Sequence, residues 1–214
     1  MTGGLTRTRR LLRHVGGLAL LPVFAHWGGA ASASDQHWSR VVMYRDLGRR
    51  IRALDPTTLD ALEISPSSNT IWQQFGFRSY QAVDYPDFDI CRDTLPTTFD
   101  FVIADQVFEH LLWPYRAARN VYNMLRPGGH FLLTTPFLIR VHEQPVDCTR
   151  WTATGIRYFL AECGFPLNHI EAAAWGNKAC VIGNFWHWAR YVGQPLYNDP
   201  AFPVTVWALA HKPR

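Results

Sequence analysis

The chain has 214 residues, 48% of them hydrophobic, and carries 21 Lys+Arg against 17 Asp+Glu for a formal charge of +4. That much apolar content excludes a disordered chain and suits one domain with its own core. No apolar run reaches the roughly 18 residues of a membrane-spanning helix.

The charge is unevenly laid. Residues 1–52 hold nine Arg and only Asp35 and Asp46, a net of +7, which leaves −3 for residues 53–214. A mildly acidic body argues against extended nucleic acid as a partner. Residues 1–34 read as a separate basic and apolar extension. Arg9-Arg10 opens it, an apolar stretch from Val15 to Trp27 follows, and Ala31-Ser32-Ala33 resembles an export cleavage site. A peripheral contact of this segment with an anionic membrane is the competing expectation. The four cysteines show no CxxC spacing and read as free, mostly buried thiols of a reducing, cytoplasmic compartment.

From residue 35 onward one domain is expected. A first helix is predicted over about Gln36–Leu54, with Ser34 or Asp35 as its cap and Asp55-Pro56 as its stop. Strand and helix signals then alternate. Leu59–Ile64 is a short strand ending on an acid, Ser67–Phe75 a candidate helix, and Tyr80–Tyr85 a second strand carrying Asp84 at its end. Phe99–Asp105 is a continuous apolar strand, Tyr115–Leu125 a helix closed by Arg126-Pro127-Gly128-Gly129, and His130–Thr135 a strand. Thr152 caps a helix to Cys163, and strands at Ile170–Trp175 and Val204–Ala210 complete the chain. Residues 176–202, rich in aromatic side chains, are expected as an insert or lid before the last strand. Such alternation means an α/β sandwich around a mostly parallel sheet, in which ligands bind at the carboxyl ends of the strands.

Two runs carry more. Phe99-Asp100-Phe101-Val102-Ile103-Ala104-Asp105-Gln106-Val107-Phe108-Glu109-His110-Leu111 and Leu125-Arg126-Pro127-Gly128-Gly129-His130 stand in order on that scaffold. Together they closely resemble class I S-adenosylmethionine-dependent methyltransferases of the small type 11 group, over about residues 58–165. The resemblance implies a Rossmann-like three-layer sandwich with a seven-stranded, mostly parallel sheet whose last strand is antiparallel; the third strand must be rudimentary, because the segment between Asp84 and Phe99 is short. It also implies S-adenosylmethionine as cofactor. Glu63 would face the methionine amino group, with Ser65 and Ser67 in the loop that follows. Asp84 would accept from the ribose hydroxyls, Asp89 and Ile90 would border the adenine, and Asp105 and Gln106 would line the methionine side. The family's glycine-rich loop here reads Glu63-Ile64-Ser65-Pro66-Ser67-Ser68, without either glycine.

Glu109 and His110 are the expected catalytic pair, since histidine suits proton transfer near neutral pH, with His142 joining them. Their alternative role is to orient the next helix. Some family members resemble this pattern as Glu-x-x-Glu-His with a later His and bind a divalent ion. Here Gln106 stands in the first position and withholds a charge, so no metal is expected. Asp147, Arg150 and Trp151, in the loop after the fifth strand, and Trp186, in the insert, are the candidate acceptor-binding residues. Asp147–Arg150 would otherwise be an internal ion pair and Trp151 core. The expected reaction is methyl transfer to a small-molecule or glycan-like acceptor, at oxygen. The alternative is a degenerate member that binds a ligand or partner through the same fold. Nothing in the sequence fixes the oligomeric state.

Overall fold

A computed structural model describes residues 36–68 and 70–214. The expectations for the extension 1–34 and for capping by Ser34 or Asp35 therefore lie outside the described residues. Six strands form one sheet: β1 (Asp60–Ile64), β2 (Ser79–Val83), β3 (Phe99–Asp105), β4 (Leu125–Pro136), β5 (Ile170–Trp175) and β6 (Thr205–His211). Their order is β2-β1-β3-β4-β6-β5. The first four are mutually parallel, and β6 runs antiparallel to both β4 and β5. Among the described residues four helices accompany them: α1 (Val41–Ala53), α2 (Pro114–Met124), α3 (Ala153–Glu162) and α4 (Lys178–Gly183).

The strand pleat sorts the core into two clusters. Successive residues of a strand point to opposite faces. Val102 and Ala104 of β3, with Phe131 and Leu133 of β4, pack beneath α2 and α3. Phe101 and Ile103, with Leu132, lie under Met43, Tyr44, Leu47 and Ile51 of α1. The central strands are buried on both sides, which is why they read as continuous apolar runs.

The α/β architecture and the antiparallel last strand stand as expected. Two local expectations do not. The sheet has six strands, not seven, because residues 84–98 spend their hydrogen bonds on turns: the Phe88 N–H donates to the Asp84 carbonyl and the Arg92 and Asp93 N–H groups to that of Asp89. Nor is there a helix over Ser67–Phe75, only a single 3-10 turn at Gln73–Phe75. Serines compete for backbone groups and Pro66 supplies no N–H. The fully buried Trp72 fills the space instead, stacked with Phe75 and edge-on to Tyr44. The first helix is also entered through a 3-10 turn at Trp38–Arg40. Segment 176–202 is packed rather than free-standing. Asn177 and Asn184 are buried, with side chains capping and bracing α4. Gly176 runs so close to Phe202 and Val204 that a Cβ there would meet backbone at 2.2–2.4 Å. Among the described residues all four cysteines are free, with Cys148 exposed.

At the opposite end of the sheet from the strand tips, His130 pairs with His211 across β4 and β6, and His211 also packs on His169. Burial, with His211 adding to it, lowers the His130 pKa to about 4; burial, His169 and Arg214 lower that of His211. The fold holds both imidazoles neutral, whereas the unfolded chain protonates them below about pH 6.5. Stability should therefore fall as pH drops from about 6.5 toward 4. His130→Phe, which keeps a ring beside Phe101, should flatten this acid limb by on the order of 1–2 kcal/mol. Urea midpoints between those pH values measure it.

Candidate functional site

A cavity of about 570 Å³ opens at the carboxyl ends of β1, β3 and β4. It brings together residues far apart in the chain: Glu63, Ser65 and Ser67 leaving β1; Asp105 and Gln106 ending β3; Glu109 and His110 in the next turn; Ile139 to Gln144 after β4; and His37, Ser39 and Arg40 from the lead segment.

Asp105 fixes the floor. One carboxylate oxygen accepts from Tyr44 Oη (2.8 Å) and Trp72 Nε1 (3.1 Å), and the other from Thr134 Oγ1 (2.5 Å). Thr134 Oγ1 in turn accepts from Gln106 Nε2 at 2.9 Å. Glu63 is buried and accepts from Thr70 Oγ1 at 2.8 Å and from Tyr80 Oη. Burial, offset by Thr70 and aided by Asp105, raises its pKa to about 7.

Ser65 and Gln106 adopt left-handed backbone, φ 50° and 60°, at the exits of β1 and β3. With Asp55 they are the only such non-glycine residues among those described. Two of these three strained positions lie in one cavity, where strain commonly marks function. At Ser65 the glycine is missing but a glycine-favouring conformation is kept.

Arg40, which sequence reasoning passed over, projects from the lead segment and donates from Nη2 to the Gln106 side-chain oxygen Oε1 at 3.4 Å. Burial opposes its charge, but Tyr44, Asp105 and Glu109 outweigh that and raise its pKa. It forms no ion pair within 4 Å of a carboxylate among the described residues. Only its place beside a strand tip identifies it, and no local motif marks such a place.

On the far wall, Glu109 is 0% exposed and neither carboxylate oxygen has a hydrogen-bond partner. Burial lifts its pKa to about 8. His110 Nδ1 lies 2.6 Å from the Val146 carbonyl. A carbonyl only accepts, so Nδ1 carries the hydrogen, leaving Nε2 3.6 Å from Glu109. His142 sits edge-on to His110 at 4.9 Å. Burial is the chief cause of its lowered pKa, working against Asp147 3.3 Å away. One donor atom from each of Glu109, His110 and His142 lies within 4.8 Å of the others. No metal was expected here, yet three potential ligands converge.

The remaining sequence candidates fall elsewhere. Asp84 is exposed at the end of β2, accepting from the Tyr85 N–H at 2.9 Å. Asp89 braces a turn by accepting from the Cys91 N–H, and Ile90 is core, its carbonyl holding Asn120; neither lines the cavity. Asp147 and Arg150 pair with each other, and Asp147 also holds the His142 N–H at 2.8 Å. Trp151 packs on Phe159. Trp186, 88% exposed, stands outside. Trp188, not selected from sequence, does line the wall, with Arg140 stacked 4.2 Å over its ring.

Residues 46–131 match a family described as a methyltransferase domain. No curated protein matches the sequence. Among solved structures, a methyltransferase from Mesorhizobium loti described as S-adenosylmethionine-dependent shares 15% identity, with 77% of this chain and 96% of that one covered (TM-score 0.53). A similarly described protein from Clostridium acetobutylicum shares 8%, covering 83% and 96% (TM-score 0.54). Phosphoethanolamine N-methyltransferase 2 of Haemonchus contortus, solved with phosphomonomethylethanolamine and S-adenosylhomocysteine, shares 14% over 79% of this chain and 53% of that one (TM-score 0.53). The chain thus spans about half the length of that enzyme. The fold is that of these proteins, and the stretch matched to a methyltransferase domain spans β1 to the first half of β4, the strands whose tips frame the cavity.

The residues present would suit S-adenosylmethionine, the cofactor that the sequence resemblance implies: Arg40 could face its carboxylate, Glu63 its ammonium, and Asp84, exposed at the end of β2, its ribose hydroxyls. As the floor of the site, Asp105 should also be its main stabiliser. Asp105→Ala would leave Tyr44, Trp72 and Thr134 without their acceptor and should cost about 3 kcal/mol or more, read as a lowered urea midpoint with an unchanged m-value.

Proposed function

We propose that the protein transfers a methyl group from S-adenosylmethionine to an oxygen of a small polar or glycan-like acceptor. The observation that carries this reading is His110, which lines the cavity at the exit of β3 with its Nδ1–H held by the Val146 carbonyl and its Nε2 3.6 Å from Glu109. The cofactor supplies an activated methyl on a sulfonium. Arg40 and Glu63 bind its charged amino-acid end, which leaves the acceptor side to His110, His142 and the loop after β4. His110 Nε2 takes the proton from the acceptor hydroxyl. Glu109, buried at its side, keeps water away and returns hydrogen-bonding capacity to the imidazole as it becomes charged. The polar lining from Arg140 to Gln144 suits a hydroxyl-bearing acceptor over an apolar one. That the Haemonchus contortus enzyme is an N-methyltransferase is a property of that protein; the histidine base here favours oxygen.

Calorimetric titration with S-adenosylhomocysteine tests the reading. Wild type should bind in the micromolar range, and Arg40→Ala and Asp84→Ala should each weaken binding about tenfold or more, the loss of one charged contact. No binding at millimolar ligand would make the chain a ligand-binding or interaction module on a methyltransferase fold.

A metal-assisted variant of this reading is favoured by one observation, the orphaned Glu109 carboxylate facing two imidazoles. Two histidines and a carboxylate suit a first-row divalent ion. Gln106 is not a fourth ligand, since it is committed to Thr134 and Arg40. Titration of chelator-treated protein with Mn²⁺ or Zn²⁺ should show one ion per chain, and His142→Ala should weaken it at least about tenfold. Failure to bind leaves His110 acting as a base alone.

A further inference from the structure

Two arginines line the cavity, Arg40 from the lead segment and Arg140 from the loop after β4. Under the proposed function Arg40 serves the cofactor carboxylate, and Arg140 is left without a role. Its guanidinium is held through its face and one nitrogen. It stacks over the Trp188 ring at 4.2 Å, and Nη1 donates to the Asn184 carbonyl at 3.1 Å. That anchor is firm. Asn184 is buried, its Nδ2 donates to the Cys180 carbonyl at 2.8 Å, and its Oδ1 accepts from the Ala189 N–H at 3.1 Å. His37 and His142 meet the same Trp188 ring edge-on, at 6.0 and 5.3 Å.

The other edge of the guanidinium is uncommitted. Among the described residues, Nε and Nη2 of Arg140 have no hydrogen-bond partner, and no carboxylate lies within 4 Å of the group. The acids of the lining are engaged elsewhere or stand apart. Glu63 accepts from Thr70 and Tyr80, and Asp105 from Tyr44, Trp72 and Thr134. Glu109 is enclosed with no hydrogen bond, and Glu143 is exposed. An arginine partly withdrawn from water is usually paired. One fixed by stacking, with Nε–H and Nη2–H side by side on a free edge, presents the planar fork that matches two oxygens of a carboxylate or phosphate. The same charge repels a cationic group.

We infer that the methyl acceptor carries a carboxylate or phosphate group besides its reacting hydroxyl, and that Arg140 binds this anionic group across its Nε–Nη2 edge. The inference rests on the proposed function for the hydroxyl and the methyl; the anion site itself does not require them. Arg140, Trp188, His142 and His110 form one continuous line of contacts along the wall. An acceptor lying along that line has its anion at Arg140 and its hydroxyl at His110. Arg140 thus selects among hydroxylated molecules by charge, while His110 acts on the hydroxyl they share.

Nuclear magnetic resonance of the full chain, with saturating S-adenosylhomocysteine to occupy Arg40, tests it. The Arg140 Nε–H resonance, assigned by its loss in Arg140→Gln, is followed during titration with inorganic phosphate, glucuronate and glucose. Phosphate and glucuronate should shift it with dissociation constants on the order of 1–10 mM, and glucose should not. Arg140→Lys keeps the charge but not the fork, and should weaken both anions about tenfold as read on the Trp188 indole N–H. Should Arg140→Gln misfold, Arg140→Lys also supplies the assignment. An Arg140 resonance that ignores both anions, or answers glucose equally, overturns the inference and makes the residue a strut for the turn at 184–188. The acceptor is read in a second arm, by incubating a cell extract with the protein and methyl-labelled S-adenosylmethionine. The labelled product should be retained by an anion exchanger at neutral pH. Phosphatase then frees a phosphate ester and leaves a carboxylate retained. An unretained labelled product overturns the inference and leaves the proposed function standing; with no labelled product, the resonance titration decides. Failure of S-adenosylhomocysteine to bind overturns the proposed function instead, and the same titration of Arg40→Gln without it decides the anion site alone.

Discussion

The half-buried carboxylate of Asp105 is the constraint around which the site is organised. Its two oxygens hold Tyr44 of α1, Trp72 of the segment after β1, and Thr134 of β4. A carboxylate partly withdrawn from water is held best when its hydrogen bonds are nearly complete. The requirement forces one helix, one loop and one strand into a fixed relation to the end of β3. Glu63, Gln106 and Arg40 take their places from that relation. Arg40 in particular lies one turn before Tyr44, so the helix that answers Asp105 also delivers a cation to the cavity.

The loop after β1 shows how the fold tolerates a missing motif. Without glycine, Ser65 accepts a left-handed conformation itself, and the Ser65 N–H donates to the Val83 carbonyl of β2 at 2.7 Å. Without a helix over Ser67–Phe75, Trp72 plugs the core and Thr70 returns to cover Glu63. Backbone strain and one large aromatic residue thus replace a glycine pair and a helix, and the cavity keeps its carboxylates.

Much of this was legible in the sequence, for physical reasons that can be named. β3 is found with the bounds read from its apolar run, because burial on both faces writes continuous hydrophobicity, while β5 keeps its expected bounds as a half-exposed edge strand. α3 begins after Thr152, whose hydroxyl accepts from the Gly155 N–H as a capping residue should. Glu63, Ser65, Ser67, Asp105, Gln106, Glu109, His110 and His142 meet in one cavity because strand tips and their exits converge in parallel sheets. What escaped was long-range. Arg40 and Trp188 reach the site from distant segments, and no local pattern records such an arrival. Asp147 and Arg150 turn toward each other, since two opposite charges three residues apart satisfy themselves at less cost than they wait for a ligand. The helix over Ser67–Phe75 looked plausible by spacing alone, but serine and proline chemistry outweighed spacing.

The absent seventh strand makes β2 the rim of the sheet, with Asp84 at its tip and only turns beyond it. In a seven-stranded arrangement a further strand would wall this corner. Under the proposed function the ribose and adenine would rest against this open border, and the methionine end would be enclosed by Arg40, Glu63 and Asp105. The two ends of one elongated ligand would thus have separate doors.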